Sequence, residues 1–344
     1  MPNPRVKIFV SGKDVSAEVT SRLCVLEWSD STKEEADSLA LTLTNSDGLL
    51  EIPKKGALVS VSAGYGAELQ KIGDFNIVEC DIDGPPSTMS IKGSAVPYIA
   101  KSGNSAIRKK SFSWESTTLG AIAQKIASNL GLSPSINNAL ASITVANEQQ
   151  TEESDVNFLL RLTRRFGGYL KFIQGNLVVT PEGISVTTSG KQITCAIKQS
   201  DCSKWRFVVG GKAEGVKNVS VKYHDFATGE TKSVTAEVAQ TATVPAFSDV
   251  PWLASEANTI TPAAPAADEE QAKAIAKTVS KRVARTTRRA TLNMVGNPAI
   301  VAGAKATLTG WKEAVNGPWL VTKVEHRVDC SQGWAMTVSL EGVN

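Results

Sequence analysis

The sequence predicts an α+β chain that is mainly β, with β-rich segments at both ends and an α+β insert between them. Three observations carry this. Residues 4–100 alternate apolar and polar side chains in short runs broken by Gly, Asn and Asp, the period-two mark of half-buried strands. Residues 101–190 change to the helical period in two stretches, and from about residue 191 the alternation returns, interrupted by one long helix.

In the first segment Val6, Ile8 and Val10 alternate before a turn at residues 11–14. Leu39, Leu41 and Leu43 alternate with Ala40, Thr42 and Thr44 before the turn at 45–48, and Ala57, Val59, Val61 and Ala63 run into Gly64-Tyr65-Gly66. Residues 71–81 and 88–96 supply further strands, so 1–100 reads as a small barrel or sandwich. In the insert, residues 117–130 form a helix with Leu119, Ile122, Ala123, Ile126 and Leu130 on one face and Gly131 at its end. A polar loop follows.

The densest stretch is 151–172. Ser154 is a good N-cap, because its hydroxyl can accept an orphan amide of the first turn, and Asp155 sets a negative charge at the positive end of the helix dipole. Phe158, Leu159, Leu162 and Phe166 make an apolar stripe bordered by Arg161, Arg164 and Arg165, and Gly167 supplies the left-handed stop. Residues 169–173, 174–176 and 177–180 then read as strand, turn and strand.

In the last segment Ile193, Cys195 and Ile197 alternate, 205–209 is a strand, and Val219, Val221 and Tyr223 lead through a turn at 227–230 to a strand at 233–238. Residues 245–267, with four prolines among small residues, read as an irregular loop ordered by a partner. Residues 268–290 form the longest helix, acidic at its start and ending in Arg285, Arg288 and Arg289; Ala272, Ile275, Ala276, Val279 and Val283 form its packing stripe. Lys273, Lys277, Lys281 and Arg285 recur every fourth residue as a basic face. A solvated surface is the plain reading of it, and contact with an acidic neighbouring subunit is the functional one. Strands at 305–309, through Leu320, Thr322, Val324, His326 and Val328 on one face, and at 335–340 complete the chain.

Two separated motifs resemble one family. The run Glu153, Ser154, Asp155, Phe158, Leu159, Arg161, Leu162, Gly167 and Tyr169 is similar to the tail hubs of contractile injection machines: late control D proteins of temperate phages, R-type pyocin hubs and the N-terminal part of the VgrG spike. Near the end, Gly296, Asn297, Pro298, Gly303, Val321, Val324 and His326 resemble the same proteins in the same order. The resemblance implies two tail-tube-like β-barrel domains, 1–100 and 191–344, the second interrupted by the loop 245–267 and the helix 268–290, with 101–190 as the α+β insert. It further implies a homotrimer whose six barrels form a ring joining a sixfold tail tube to a threefold central spike. The implied partners are the spike protein, the tube protein, and other baseplate and tape-measure proteins. The implied location is the bacterial cytoplasm during assembly, then the baseplate of a phage tail or pyocin-like particle.

Composition is consistent with a structural part. A chain of 344 residues, 42% hydrophobic and 21% charged, has room for two or three domains. A net charge of +3 argues against specific nucleic-acid binding. Five scattered cysteines, an odd number, fit a reducing compartment better than a disulfide framework. The first residues lack the apolar core of a signal peptide, and no apolar run reaches about 18 residues, so no membrane insertion is expected.

Enzyme chemistry finds little raw material, and no catalytic residue, metal or cofactor is expected. Glu152, Glu153 and Asp155 point different ways from a helix start, whereas a glycosidase pair must face across a substrate. Cys195 and Cys202 are too far apart for a zinc knuckle, and His326 with Cys330 needs distant help to hold a metal. There is no G-x-S-x-G elbow, and Gly210, Gly211 and Gly215 lack the spacing and following helix of a dinucleotide fingerprint. Two other readings stay open at this point: a tail-associated cell-wall hydrolase, and a β-rich carbohydrate- or nucleic-acid-binding protein.

Overall fold

The computed structural model describes residues 4–32, 36–96, 108–173, 175–184, 193–210, 216–225, 228–239, 259–262 and 265–343. The expected segment border near residue 100, Gln174 of the hairpin turn, and most of the loop 245–267 lie outside the described residues.

The chain is mainly β. From the N-terminus come β1 (Pro4–Val10), β2 (Lys13–Asp14), α1 (Ser16–Arg22), β3 (Leu23–Ser31), β4 (Ser38–Thr44), β5 (Leu58–Tyr65), β6 (Glu68–Asp83) and β7 (Thr88–Ser94). The middle holds β8 (Lys109–Thr118), α2 (Leu119–Leu130), β9 (Ser133–Ile136), α3 (Asn138–Ala141), β10 (Thr144–Ser154), α4 (Asp155–Arg165), β11 (Gly168–Ile173) and β12 (Asn176–Pro181). Then follow β13 (Thr194–Lys198), β14 (Cys202–Val209), β15 (Asn218–Asp225), β16 (Glu230–Glu237), β17 (Thr259–Ile260), α5 (Glu269–Thr286), β18 (Arg288–Val295), β19 (Lys305–Thr309), β20 (Gly317–Asp329) and β21 (Gly333–Gly342).

One 13-stranded sheet joins both ends of the chain, in the order β14-β18-β21-β20-β3-β4-β7-β6-β5-β1-β2, with β13 and β19 branching from β20. The joint is β20. Its first residues pair with β19, Leu308 opposite Gly317, and its last seven pair antiparallel with β3, from Lys323 opposite Ser31 to Asp329 opposite Val25. Two lobes therefore share a strand. In the second lobe the ladder runs β13-β19-β20-β21-β18-β14, and β13 continues into β14 through the short 3-10 turn Gln199–Asp201. Each lobe encloses its own core: Ile8, Leu26, Trp28, Leu41, Val61 and Phe75 in the first, Leu292, Leu308, Trp319, Val321, Val324 and Val338 in the second.

The third core lies in the middle of the chain. Its residues come from α2 and α4 (Leu119, Ile122, Ile126, Phe158, Leu159, Leu162), from Leu177 and Val179 of β12, and from later elements: Val219 and Val221 of β15, and Ala272, Ile275 and Ala276 of α5. The hairpin β15–β16 and helix α5, which the sequence places with 191–344, thus share a core with the insert.

Local signals account for the helices. Thr118 accepts from the Ala121 amide at 3.2 Å and Gly131, at φ +66°, ends α2. Ser154 accepts from the Asn157 amide at 3.3 Å and Gly167, at φ +76°, ends α4. Asp268 caps α5 by accepting from Gln271 at 2.8 Å.

Three expectations need correction. The polar loop before α4 holds β9, α3 and the eleven-residue β10, which pairs with β8. The long helix ends at Thr286, and Arg288 and Arg289 open β18 instead of capping it. Arg288 lies buried with its guanidinium 4.7 Å from the centre of the Trp319 ring. In β20 a bulge between Val321 and Lys323 reverses the alternation, so Val321 and Val324 face one core while Leu320 and Thr322 leave the face of Val324, His326 and Val328.

Candidate functional site

The structure concentrates its buried polar chemistry at the joints between the two lobes and the middle region. The sequence motifs sit around these joints.

The first motif forms α4 and its approach. Glu153 is held by Arg161 through Nη2–Oε2 at 3.1 Å and Nε–Oε1 at 3.3 Å. Arg161 also reaches Glu148 at 2.8 Å, and Arg165 donates to the other oxygen of Glu148 at 2.9 Å and to the Pro265 carbonyl at 2.6 Å. Asp155 pairs with Lys110 at 2.7 Å and accepts from Gln150 at 3.1 Å. Phe158 stacks on Trp114 with ring centres 5.8 Å apart and lies beneath Arg161 at 5.3 Å. Leu159 and Leu162 are fully buried, and the buried Tyr169 donates its hydroxyl to the Ile184 carbonyl at 3.2 Å.

Gly167 needs its glycine twice over. Its φ is positive, and a Cβ would come within 2.8 Å of Thr278 on α5. Of the carboxylates weighed for catalysis, Glu153 and Asp155 are thus paired with cations, and Glu152 is exposed and accepts from Ser111 at 3.3 Å.

The second motif sits on the β3–β20 seam. His326 is buried, stacked on Trp28 at 4.5 Å between ring centres, and its Nδ1 accepts the indole N–H of Trp334 at 3.2 Å. Burial, set against a smaller opposing pull from Asp30, depresses its pKa to about 4, so the imidazole is neutral at physiological pH. Trp334 also packs on Tyr65, and the Gly296 amide donates to its carbonyl at 2.9 Å. Gly303, at φ +88°, donates to the Val321 carbonyl at 2.8 Å beside the bulge of β20.

Two junctions escaped the sequence reading. At one, Lys171 of β11 pairs with Asp30 of β3 and lies 3.7 Å from Asp37, while the other Asp30 oxygen accepts the Ala302 amide at 2.7 Å. One carboxylate therefore ties together the first lobe, the middle hairpin and the loop before β19. Burial would push the ammonium down, but the two carboxylates outweigh it and raise the Lys171 pKa; burial lifts Asp37 to about 6 against the pull of Lys171. Beside them lies a cavity of about 20 Å³, lined by Ser31, Asp37, Val96, Leu170 and Lys171 among others.

At the other junction Glu182, just past β12, receives both Arg282, at 2.7 Å, and Arg285 of α5. Arg282 also donates to the Arg164 carbonyl at 2.9 Å, and Arg285 lies 4.0 Å from Glu341 of β21. A charged residue at an inward position of a strand, as at Lys171, is the signal the sequence did offer.

The basic face divides. Lys273, Lys277 and Lys281 are exposed, and Lys273 pairs with Glu269 at 2.6 Å. Arg285 is half-buried in the junction instead. Each four-residue step turns about 40° around a helix, so three steps carry it about 120° away from Lys273. Among the described residues no group of three or more His, Cys, Asp or Glu is placed to hold a metal ion, and no described helix is long and apolar enough to cross a membrane.

Among the described residues, two β lobes share the strand β20 and are fastened to the middle region by ion pairs at Lys171 and Glu182. Compared with solved structures, the chain superposes on the 43 kDa tail protein of prophage MuSo2 from Shewanella oneidensis with a TM-score of 0.68, at 14% identity and over 98% of both chains. A component of the Escherichia coli type VI secretion system shares the fold, with a TM-score of 0.56 at 10% identity, over 94% of this chain and 74% of that one. The chain belongs to the phage tail baseplate hub (GPD) family, whose model matches residues 103–333. The probable baseplate hub protein of Escherichia phage P2 is 30% identical over 211 residues, 61% of this chain and 54% of that protein. The chain thus spans about half the length of the curated relatives it matches.

Proposed function

We propose that this chain is the baseplate hub of a contractile tail, of a phage or a pyocin-like particle, and that three copies close a ring between a sixfold tail tube and a threefold central spike. Family membership over residues 103–333 is the observation that carries this reading. The two-lobed sheet supports the geometry: three chains with two β lobes each offer six similar units to a sixfold tube and three equivalent faces to a spike. Such a ring requires a head-to-tail contact that closes on itself.

In this reading 1–100 and 191–344 are the two tube-like barrels and 101–190 the insert that reaches towards the spike. The motif residues Glu153 to Tyr169, with Gly303 and His326, stiffen the chain, and Lys273, Lys277 and Lys281 contribute to a subunit contact. Spike, tube and tape-measure proteins are its partners, the protein assembles in the bacterial cytoplasm, and its role is structural, without catalysis. Light scattering on the chain alone and co-expressed with the neighbouring spike protein tests the proposal. A mass of three chains, at least with the spike, is expected; a monomer under both conditions overturns it.

A further inference from the structure

We propose that Cys24 and Cys330 form a disulfide site, two thiols that a small external disulfide joins across the seam between the N-terminal and C-terminal strands. The ladder between β3 and β20 ends with Asp329 opposite Val25. One step further the Cys330 amide donates to the Cys24 carbonyl at 3.5 Å, so the two cysteines face each other. Directly opposed residues of a hydrogen-bonded antiparallel pair stand about 5.5 Å apart at Cα, inside the roughly 4.4–6.8 Å that a disulfide spans.

Both thiols are free. Cys330 is exposed in the turn between β20 and β21, and Cys24 is half-buried. The Cys330 thiol donates to the Leu23 carbonyl, which lays it over β3 beside Cys24. The remaining cysteines stand opposite other residues: Cys80 faces Ile91, Cys195 faces Ala306 and Cys202 faces Met294. Register therefore selects one pair out of five cysteines.

The chemistry balances with a small disulfide such as oxidised glutathione as the oxidant. One cysteine thiolate attacks a glutathione sulfur and expels the first glutathione thiolate. The second cysteine thiolate then attacks the mixed disulfide, forming the protein S–S bond and expelling the second. Two electrons pass from the cysteines to the oxidant, and the two thiol protons end on the released glutathione. Burial, then the neighbouring Cys24 and Asp329, push the Cys330 thiol up. The Cys330 thiolate is accordingly scarce at neutral pH, which slows its attack on the oxidant. Once formed, the bond closes almost the whole chain into a loop and clamps the strand that both lobes share.

The test incubates the full folded chain with oxidised glutathione and alkylates the remaining thiols. The expected result, by mass spectrometry of the denatured product, is a single polypeptide lighter by two hydrogens, two fewer alkylated cysteines, and one cross-linked peptide pair carrying Cys24 and Cys330. The thermal midpoint rises by about 5 °C or more and returns on reduction. Cys330→Ser keeps the reduced midpoint and forms no link. Five alkylated cysteines after oxidation, a link between chains, or a link through Cys80, Cys195 or Cys202 overturns the proposal.

Discussion

At Gly296 the backbone runs so close beneath the Trp334 indole that a Cβ would overlap the ring. This contact fixes the tryptophan that donates to His326, so one glycine and one histidine far apart in the motif serve the same joint. The histidine has a titration to match. Its ordinary pKa of about 6.5 holds in the unfolded chain, while burial lowers it to about 4 in the native protein. Between these values the unfolded chain carries a proton that the native chain lacks. His326 therefore leaves stability undiminished above about pH 6.5 and erodes it as pH falls towards 4, by roughly 3 kcal/mol in all. Asp37 opposes this: its raised pKa favours the protonated native state, so its contribution declines as pH rises towards about 6. Replacing His326 with Phe keeps a ring against Trp28 and leaves Asp37 in place. Urea midpoints measured from about pH 7 to 4 should fall less steeply for H326F than for the unaltered chain; equal slopes would mean that another group titrates. The sequence places His326 on a strand face with Val324 and Val328, but not its partner Trp334, because nothing in an alternating pattern says which tryptophan crosses the hairpin.

Elements were legible where cap and period agreed. Helix α4 was read from Ser154, the stripe of Phe158, Leu159 and Leu162, and Gly167, and the structure places its ends there. The cap bond from the Asn157 amide to Ser154, 3.3 Å long and part-buried, is the local origin of that helix start. Ser154→Ala should cost about 1 kcal/mol in chemical unfolding, and Ser154→Asp should restore most of it; loss of less than about 0.3 kcal/mol in the alanine variant would show that Asp155 and packing start the helix unaided. Strands β8 and β10 were illegible for the opposite reason. KKSFSWESTT and TVANEQQTEES place polar groups on both faces, and Trp114, Val145 and Gln150 are their buried anchors. The end of α5 was misread because Arg288 and Arg289 suit a helix C-terminus as well as a strand, and only the pairing of β18 between β14 and β21 decides. The fourfold spacing of its basic residues likewise could not separate exposed lysines from Arg285, which reaches Glu182.

At the scale of the whole molecule the mainly β class and the hub family were visible, yet the way the parts join was not. That β3 pairs with β20 is a long-range fact, carried by no local pattern, and it makes one sheet of what reads as two. The same holds for Lys171, in the middle of the chain, whose partners Asp30 and Asp37 come from its N-terminal part. Its removal tests how strongly the parts are coupled. Lys171→Met preserves the length and apolar stem but leaves two carboxylates buried without their cation, a defect expected to cost roughly 3–5 kcal/mol near pH 8. Asp37, already raised by burial, loses the ammonium that opposes that rise, so it takes up a proton more readily in the variant. Protonation relieves the defect, and the gap between K171M and the unaltered chain should therefore narrow towards pH 5, whereas simple loss of packing would leave it constant. Urea unfolding at both pH values, with the exposed Lys277→Met as reference, measures this directly. A K171M chain as stable as K277M, or a gap that stays constant with pH, would mean that the hairpin is held to the first lobe by its apolar contacts alone, Phe172 against that core among them.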